Sequence, residues 1–254
     1  MKLKLFAVAA FAAATAASSA GAAGLYFSID SSSALYQLDL STAAPTLVGT
    51  TGVSGNTVGL SESNDPNILY GSTWNDLATI DISSGTHTII GSISGGAEGL
   101  AWAPDTQTLY GYINRSFFTL DPSTANRLTT LATTPAEVEG LAWRGDSIYG
   151  FGGTDDTLYR YSIAGDSWST VGSTSIPFAD STGLAYDPSV DLFYAINDAG
   201  GLYSVNPNTA ASTFIGDTGL GRGGGLAFVG VPEPSVLGLL AAASSVATPL
   251  RRRR

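Results

Sequence analysis

Two glutamates stand at equivalent places in a repeated motif. Glu98 directly precedes Gly99–Trp102 and Glu139 directly precedes Gly140–Trp143, which share the letters Gly-Leu-Ala-Trp. If the copies fold alike, both carboxylates lie at the same end of a central channel, in neighbouring repeat units, where Arg222 could converge on them. Such a pair offers oxygen ligands to Ca²⁺, or an acid and a base for catalysis. Because Ca²⁺ takes about 6 to 8 oxygens, a hydrated mouth without a tight ligand is the competing interpretation, and no other cofactor is predicted.

The other residues with catalytic potential lack the partners that their chemistry needs. His87 is the single histidine, and without a Gly-x-Ser-x-Gly elbow or a His-Glu-x-x-His pattern we predict a solvated histidine in an outer strand. Asp155 and Asp156 lack the spaced acidic pattern of a cation loop, which indicates a solvated hairpin tip. The string Gly219–Gly224 matches Gly-x-Gly-x-x-Gly, but a strand follows it instead of a helix, so we interpret it as a loop.

Aromatic side chains offer a second chemistry, sugar binding, because their faces stack on the apolar faces of pyranose rings. Trp74 lies in a predicted loop after Tyr70-Gly71 and is the candidate glycan contact. Trp102 and Trp143 alternate with small residues on predicted strands, and this period of two places them in the core.

The elements that position these residues form a repeat. Each unit has a Gly-Leu strand, a strand with Leu-Tyr or a similar pair, a third strand ending in turn residues, and a β-branched fourth strand. The period of about 41 residues is the length of a propeller blade. The sequence therefore predicts an all-β, five-bladed β-propeller of four-stranded antiparallel blades over residues 23–230, with the Gly-Leu strand innermost. The Gly-Leu strands start near Gly59, Gly99, Gly140, Gly183 and Gly225.

The two ends of the repeat are incomplete in a complementary way. The first unit begins at Leu25 with its second strand, and the last folded piece, Gly225–Val229, is a lone Gly-Leu strand. We therefore expect the C-terminal strand to complete the N-terminal blade and close the ring. The unit at Gly59 departs from the pattern, since Ser61–Asn64 contains no aromatic residue, and its register is the least defined.

Taken together, the Gly-Leu-Ala and Leu-Tyr strands of residues 25–229 resemble secreted propellers with NHL- and YVTN-type repeats. The resemblance implies the architecture and leaves activity open, because propellers host binding, scaffolding and catalysis alike.

Both ends of the chain have the composition of targeting signals. Lys2 and Lys4 precede the apolar run Leu5–Ala17 and a small-residue stretch, which indicates a secretory signal peptide over residues 1–22. At the other end, residues 231–254 contain Pro232-Glu233-Pro234, an apolar run short for a membrane span, and a terminal arginine cluster. The cluster consists of Arg251, Arg252, Arg253 and Arg254.

This tail closely resembles the PEP-CTERM sorting signal. The resemblance implies transient anchoring in the inner membrane of a Gram-negative bacterium, processing by an exosortase near the triplet, and delivery to the cell surface or extracellular matrix. It also implies a link to exopolysaccharide, biofilm or floc. This resemblance indicates where the protein is delivered and gives no information about a ligand or a reaction.

Composition and charge narrow the partners. The chain has no cysteine, which excludes a disulfide scaffold. Between residues 23 and 231 there are five arginines, no lysine and twenty acids, a formal charge of −15 that argues against nucleic acid. The sequence thus predicts a non-catalytic module that binds exopolysaccharide, surface proteins or cations. The alternative is an extracellular hydrolase or lyase that uses Glu98 and Glu139.

Overall fold

The computed structural model describes residues 23–230 except for 30, 31, 33, 51–56, 154, 178–180 and 222. The described residues form twenty β-strands and no helix, so this part of the chain contains no helical candidate for a membrane span. The predicted signal peptide, the predicted sorting tail and Arg222 lie outside the described residues.

The strands are short, and tight turns join the strands within each sheet. The first strands of each sheet are mostly buried, whereas the fourth is mostly exposed. In chain order the strands are β1 (Gly24–Ile29), β2 (Ala34–Leu38), β3 (Pro45–Thr50), β4 (Gly59–Glu62), β5 (Ile68–Ser72), β6 (Trp74–Asp81), β7 (His87–Ala97), β8 (Gly99–Ala103), β9 (Thr108–Ile113), β10 (Ser116–Leu120), β11 (Arg127–Thr130), β12 (Val138–Arg144), β13 (Ser147–Gly152), β14 (Thr157–Ser162), β15 (Ser167–Ser173), β16 (Ser181–Asp187), β17 (Leu192–Asn197), β18 (Gly201–Val205), β19 (Ser212–Asp217) and β20 (Gly223–Val229).

The strands form five four-stranded antiparallel sheets around a common axis. Blade 1 combines β20 with β1, β2 and β3, whereas blades 2 to 5 each use four consecutive strands, starting from β4, β8, β12 and β16. The fold is therefore a five-bladed β-propeller, and the predicted closure by the C-terminal strand is confirmed.

The inner strands approach one another at their glycines. A Cβ atom on Gly99 would lie 2.7 Å from the carbonyl oxygen of Glu139 in the next blade, and one on Gly225 would collide with the backbone of Leu60. Only a residue without a side chain permits this approach. The same contact recurs around the ring at Gly59, Gly99, Gly140, Gly183 and Gly225.

The two faces of each inner strand pack against different neighbours. Leu100 and Trp102 join a buried cluster with Leu77 of blade 2, whereas Ala101 faces Leu141 of blade 4. This division follows from the alternation of side chains along a strand. The face of β8 with Leu100 and Trp102 fills the gap to blade 2, and the face with Ala101 leaves room for blade 4.

The register of blade 2 matches that of the other blades although its inner strand lacks an aromatic residue. Leu60 pairs with Gly71 as Leu100 pairs with Gly111 in blade 3. Glu62 consequently stands where the other inner strands have an aromatic side chain.

A second ring of contacts joins the blades at their rims. In the turn between the third and fourth strands of blades 1, 2, 3 and 5, an Asp or Asn side chain accepts backbone hydrogen bonds, as Asp39 Oδ1 does from Ser41 and Thr42 at 2.9 Å each. Ser162 takes this place in blade 4. The residue four places after that side chain adopts left-handed backbone geometry, as at Ala43 and Ala125 with φ of 63° and 64°. The side chains of these alanines are fully buried.

This left-handed residue packs beneath the fourth strand of the preceding blade, and we call the contact a turn clasp. Blade 3 lacks a glycine at that place, so Asp166 of blade 4 accepts a hydrogen bond from the Ala132 N–H at 2.9 Å, and Trp168 Nε1 donates to the Ala132 carbonyl at 3.1 Å. In the other four junctions the fourth strand presents a glycine, at Gly49, Gly91, Gly172 and Gly216.

Candidate functional site

The axis of the propeller is closed to ligands. Five Gly-Leu pairs line it, and the space between them has no room for a water molecule. A ligand can therefore reach the two ends of the axis but cannot enter it. We call the end where the inner strands begin the lower mouth, and the end where they finish the upper mouth.

The structure places Glu98 and Glu139 at the lower mouth, on adjacent blades. Both side chains are half-buried, and Gly99 abuts the backbone of Glu139 across the junction. Among the described residues, no group of three Asp, Glu, His or Cys side chains forms a metal-binding cluster. Since Arg222 is not described, its convergence on these glutamates and the Ca²⁺ site stay predictions.

The upper mouth is built from one register position of every blade. The inner strands of blades 1, 4 and 5 end in Phe228, Trp143 and Tyr186, which are half-buried, and blade 2 contributes half-buried Glu62. In blade 3, Trp102 is 3% exposed because it packs on Tyr70, with ring centres 5.7 Å apart. The core prediction therefore holds for Trp102, whereas Trp143 packs on one side and faces the mouth on the other.

A pocket of about 320 Å³ lies between Glu62, Trp143, Tyr186 and Phe228, and Trp102 does not line it. Its wall is mostly apolar, because the loops that follow β4, β8 and β16 add Pro66, Pro104 and Pro188 to the aromatic rings. The volume lies near the lower end of the range of about 300 to 1,000 Å³ that is typical of small-molecule sites.

Glu62 is the ionisable group set deepest in this wall. Loss of water contact raises the pKa of Glu62 to about 7. Hydrogen bonds from its own backbone N–H and, at 3.5 Å, from Ser61 Oγ oppose this shift only in part. Ser61 is itself held in place, because its hydroxyl oxygen accepts a hydrogen bond from the Trp102 N–H at 2.8 Å. Blade 3 thus holds Ser61, the residue before Glu62, in position.

A charged network fixes the tyrosine of the pocket. The Tyr186 hydroxyl donates to Asp191 Oδ1 at 2.9 Å, and Arg144 Nε donates to the same oxygen at 2.7 Å. The Arg144 guanidinium carbon also lies 5.9 Å from the centre of the Tyr186 ring. The hydrogen bonds from Arg144 and Tyr186 lower the pKa of Asp191, so this carboxylate stays ionised and neutralises the arginine.

Trp74 lies away from this pocket. Trp74 is the first residue of β6 and pairs with Ala97, so it lies at the lower side of blade 2. Its side chain is 39% exposed. The structure separates Trp74 from the aromatic residues of the upper mouth, and its contact with glycan stays a prediction.

The prediction of a solvated His87 is wrong. The side chain is 7% exposed, with Nε2 2.9 Å from Thr57 Oγ1 and Nδ1 3.2 Å from the Gly85 carbonyl oxygen. Burial lowers its pKa, although the Gly85 carbonyl opposes this shift. The pattern of β7 gave no sign of burial, because the partner, Thr57, comes from the segment that enters blade 2. His87 therefore connects two parts of the fold.

The hairpin tip at Asp155 and Asp156 is less solvated than predicted. Both side chains are half-buried. Asp155 accepts hydrogen bonds from the Thr157 N–H and the Tyr159 hydroxyl, and Asp156 accepts one from Ser173 at 3.0 Å. These carboxylates stabilise blade 4.

Comparison with known proteins supports the fold and leaves the finer resemblances open. No family model and no curated protein matches the chain. Among solved structures, a chain from the crystal structure of a nidogen/laminin complex has a TM-score of 0.59 at 10% identity, covering 83% of this chain and 99% of that chain. A chain of hydrazine synthase from Kuenenia stuttgartiensis has a TM-score of 0.48 at 15% identity, covering 65% and 50%. What the nidogen/laminin match supports is the β-propeller fold alone.

The upper pocket was missed at the sequence level, although one indication was available. Four of the five Gly-Leu strands have an aromatic residue three places after the glycine, and the fifth has Glu62 there. We treated this exception as a weakness in the repeat, whereas the structure shows that it puts one carboxyl group into an aromatic pocket.

Proposed function

We propose that this protein is an exported, non-catalytic binding module of the cell surface or extracellular matrix, and that its ligand site is the pocket at the upper mouth. The observation that carries the proposal is the wall of half-buried Trp143, Tyr186 and Phe228 around Glu62. A closed axis supports a module that holds a ligand at its surface.

The ligand class that fits this wall best is a saccharide. Flat aromatic faces pack on the apolar faces of sugar rings, and a few polar groups then set orientation. Asn64, on the loop after Glu62, provides a hydrogen-bonding side chain at the rim, whereas the Ser63 hydroxyl donates to the Ile68 carbonyl at the start of β5 at 2.7 Å. This agrees with the link to exopolysaccharide that the sorting tail implies.

Replacement of Trp143 tests the site. We expect Trp143→Ala to lower retention on the glycans of an array at least tenfold, because it removes one stacking face. The matched control is Trp74→Ala, which removes an exposed tryptophan from the lower side. Loss of retention in Trp74→Ala with full retention in Trp143→Ala would move the glycan contact to Trp74 and contradict the pocket.

Export is a separate part of the proposal. We propose that residues 1–22 direct secretion and that residues 231–254 anchor the precursor until an exosortase acts at Pro232–Pro234. The first and last described residues, Ala23 and Gly230, line one cavity and therefore lie at the same face of the propeller. Fractionation of a host with and without exosortase tests this. We expect the protein to stay in the membrane fraction only when residues 231–254 are present, and to be released only when the exosortase is present.

Ca²⁺ at Glu98 and Glu139 is the proposed cation site at the lower mouth. Calorimetric titration of the secreted protein with CaCl₂ tests it. We expect heat that Glu98→Gln and Glu139→Gln abolish, and an absence of heat in the unmodified protein would overturn the site.

A hydrolase or lyase remains the second candidate, and one observation favours it. An acid whose pKa lies near the working pH suits general acid–base catalysis, and Glu62 has such a pKa. The enzyme would then use the upper pocket and not the pair at Glu98 and Glu139. Appearance of new reducing ends in a retained glycan, abolished by Glu62→Gln, would establish catalysis.

A further inference from the structure

The electrostatic character of the upper pocket distinguishes among saccharides. Of the described residues that line it, none is basic, and Glu62 and Asp65 are acidic. The nearby Arg144 already forms an ion pair with Asp191. Its Nε donates to Oδ1 at 2.7 Å and its Nη2 donates to Oδ2 at 2.9 Å. A uronate or a sulfated sugar would therefore meet negative charge without a compensating cation.

The aromatic wall adds to the same preference. The faces of Trp, Tyr and Phe rings carry negative electrostatic potential and attract organic cations. Trp143, Tyr186 and Phe228 present such rings around the carboxyl group. The whole body, with five arginines against twenty acids, also attracts cations over a longer range.

We propose that the upper pocket selects a sugar residue that carries a free amino group, with the ring stacked on Trp143 or Tyr186 and the ammonium group paired with Glu62. This rests on the proposed function, because it names the glycan class that the same pocket takes. An ammonium group replaces the water that Glu62 loses on burial, which an N-acetyl group or a hydroxyl group does to a smaller extent.

The position of Glu62 supports this role. A carboxyl group in an apolar wall is unfavourable for folding unless it is paired. Glu62 accepts hydrogen bonds from its own backbone N–H and, at 3.5 Å, from Ser61 Oγ, and neither donor carries a positive charge. The burial that raises the pKa of Glu62 would be offset by a bound cation. A hydrophobic residue, as in the other four blades, would fill the same place without this cost.

The test compares two probes that differ in one group. Calorimetry of the secreted protein at pH 7 uses a β-1,4-linked glucosamine tetramer and its fully N-acetylated counterpart. We expect the amino form to bind at least tenfold more tightly. Glu62→Gln keeps the shape of the side chain and should abolish that ratio, whereas Trp143→Ala should weaken the binding of both tetramers.

The outcomes separate this inference from the proposed function. Equal binding of both tetramers, or a ratio that survives in Glu62→Gln, overturns the amino-sugar assignment and leaves a glycan module. Tighter binding of a lysine peptide than of the glucosamine tetramer also overturns it. If no glycan of any charge binds, the proposed function itself fails.

Discussion

At the scale of single residues, Glu62 shows how one exception in a repeat creates a site. Its neighbours in the repeat bury aromatic surface, whereas Glu62 brings a carboxyl group whose pKa is raised to about 7 by burial. Functional sites commonly hold groups whose ionisation is unfavourable in the folded state. The residue should therefore reduce stability wherever it is charged.

The pH dependence of that effect is a prediction. An ordinary glutamate titrates at about 4.3 in an unfolded chain, so the folded state of this protein binds more protons than the unfolded state between that value and about 7. Its stability falls as the pH rises through this window. Glu62→Gln removes the loss, and we expect its free energy of unfolding to exceed that of the unmodified protein by about 1 to 3 kcal/mol at pH 8.

Urea denaturation at pH 4 and pH 8 measures this difference. At pH 4 the variant and the unmodified protein should differ little, because Glu62 is then protonated in the folded state and mostly protonated in the unfolded state. Glu137→Gln, at an exposed position before β12, serves as the control and should change stability little at either pH. A variant that is equally stable or less stable at pH 8 would contradict the shift.

At the scale of elements, the turn clasps explain why an alanine recurs in a left-handed turn. Ala43, Ala125 and Ala210 adopt φ of 61° to 64° and are fully buried beneath the adjacent blade. Left-handed geometry at a non-glycine residue costs about 1 to 3 kcal/mol, so the buried methyl group and the contact with the next blade must offset it.

Two substitutions of Ala125 test the clasp. Ala125→Val places a β-branched side chain at positive φ in filled space, and we expect it to lower the free energy of unfolding by about 2 to 4 kcal/mol. Ala125→Gly relieves the backbone but loses one buried methyl group, worth about 0.8 kcal/mol, and should stay within about 1 kcal/mol of the parent. Thermal unfolding by circular dichroism compares them, and equal midpoints for Val and Gly would contradict the clasp.

At the scale of the whole molecule, closure depends on β20. Leu226 joins a buried cluster between blades 1 and 5, and Ala227 and Val229 join one between blades 1 and 2. One strand therefore completes the core on both sides of blade 1. Each fully buried Leu or Val contributes about 1.5 to 3 kcal/mol, against a total stability of about 5 to 15 kcal/mol for a domain.

Truncation tests closure. A chain that ends after Gly221 lacks β20, and we expect it to lose cooperative thermal unfolding and to become sensitive to protease. A chain that ends after Gly230 retains all twenty strands and should unfold like the parent. Cooperative unfolding of the shorter chain with an unchanged midpoint would show that the ring closes without β20.

The number of blades, the innermost strand and the closing strand can be predicted from the amino-acid sequence alone. These features are local or periodic, since the Gly-Leu pairs return about every 41 residues and each strand alternates its side chains over two positions. The glycine of each Gly-Leu pair leaves room for the backbone of the neighbouring blade, and every copy of the repeat contains it.

The grouping of residues at one mouth and the burial of His87 depend on the assembled ring. Glu62, Trp143, Tyr186 and Phe228 come from four blades, and the pocket exists because closure brings the ends of those inner strands together. His87 is buried because Thr57 from another segment covers it. The repeat gives the four mouth residues equivalent positions, three places after the glycine of each Gly-Leu pair. Their meeting in one pocket and the cover of His87 by Thr57 depend on contacts between distant parts of the chain, which the closed ring creates.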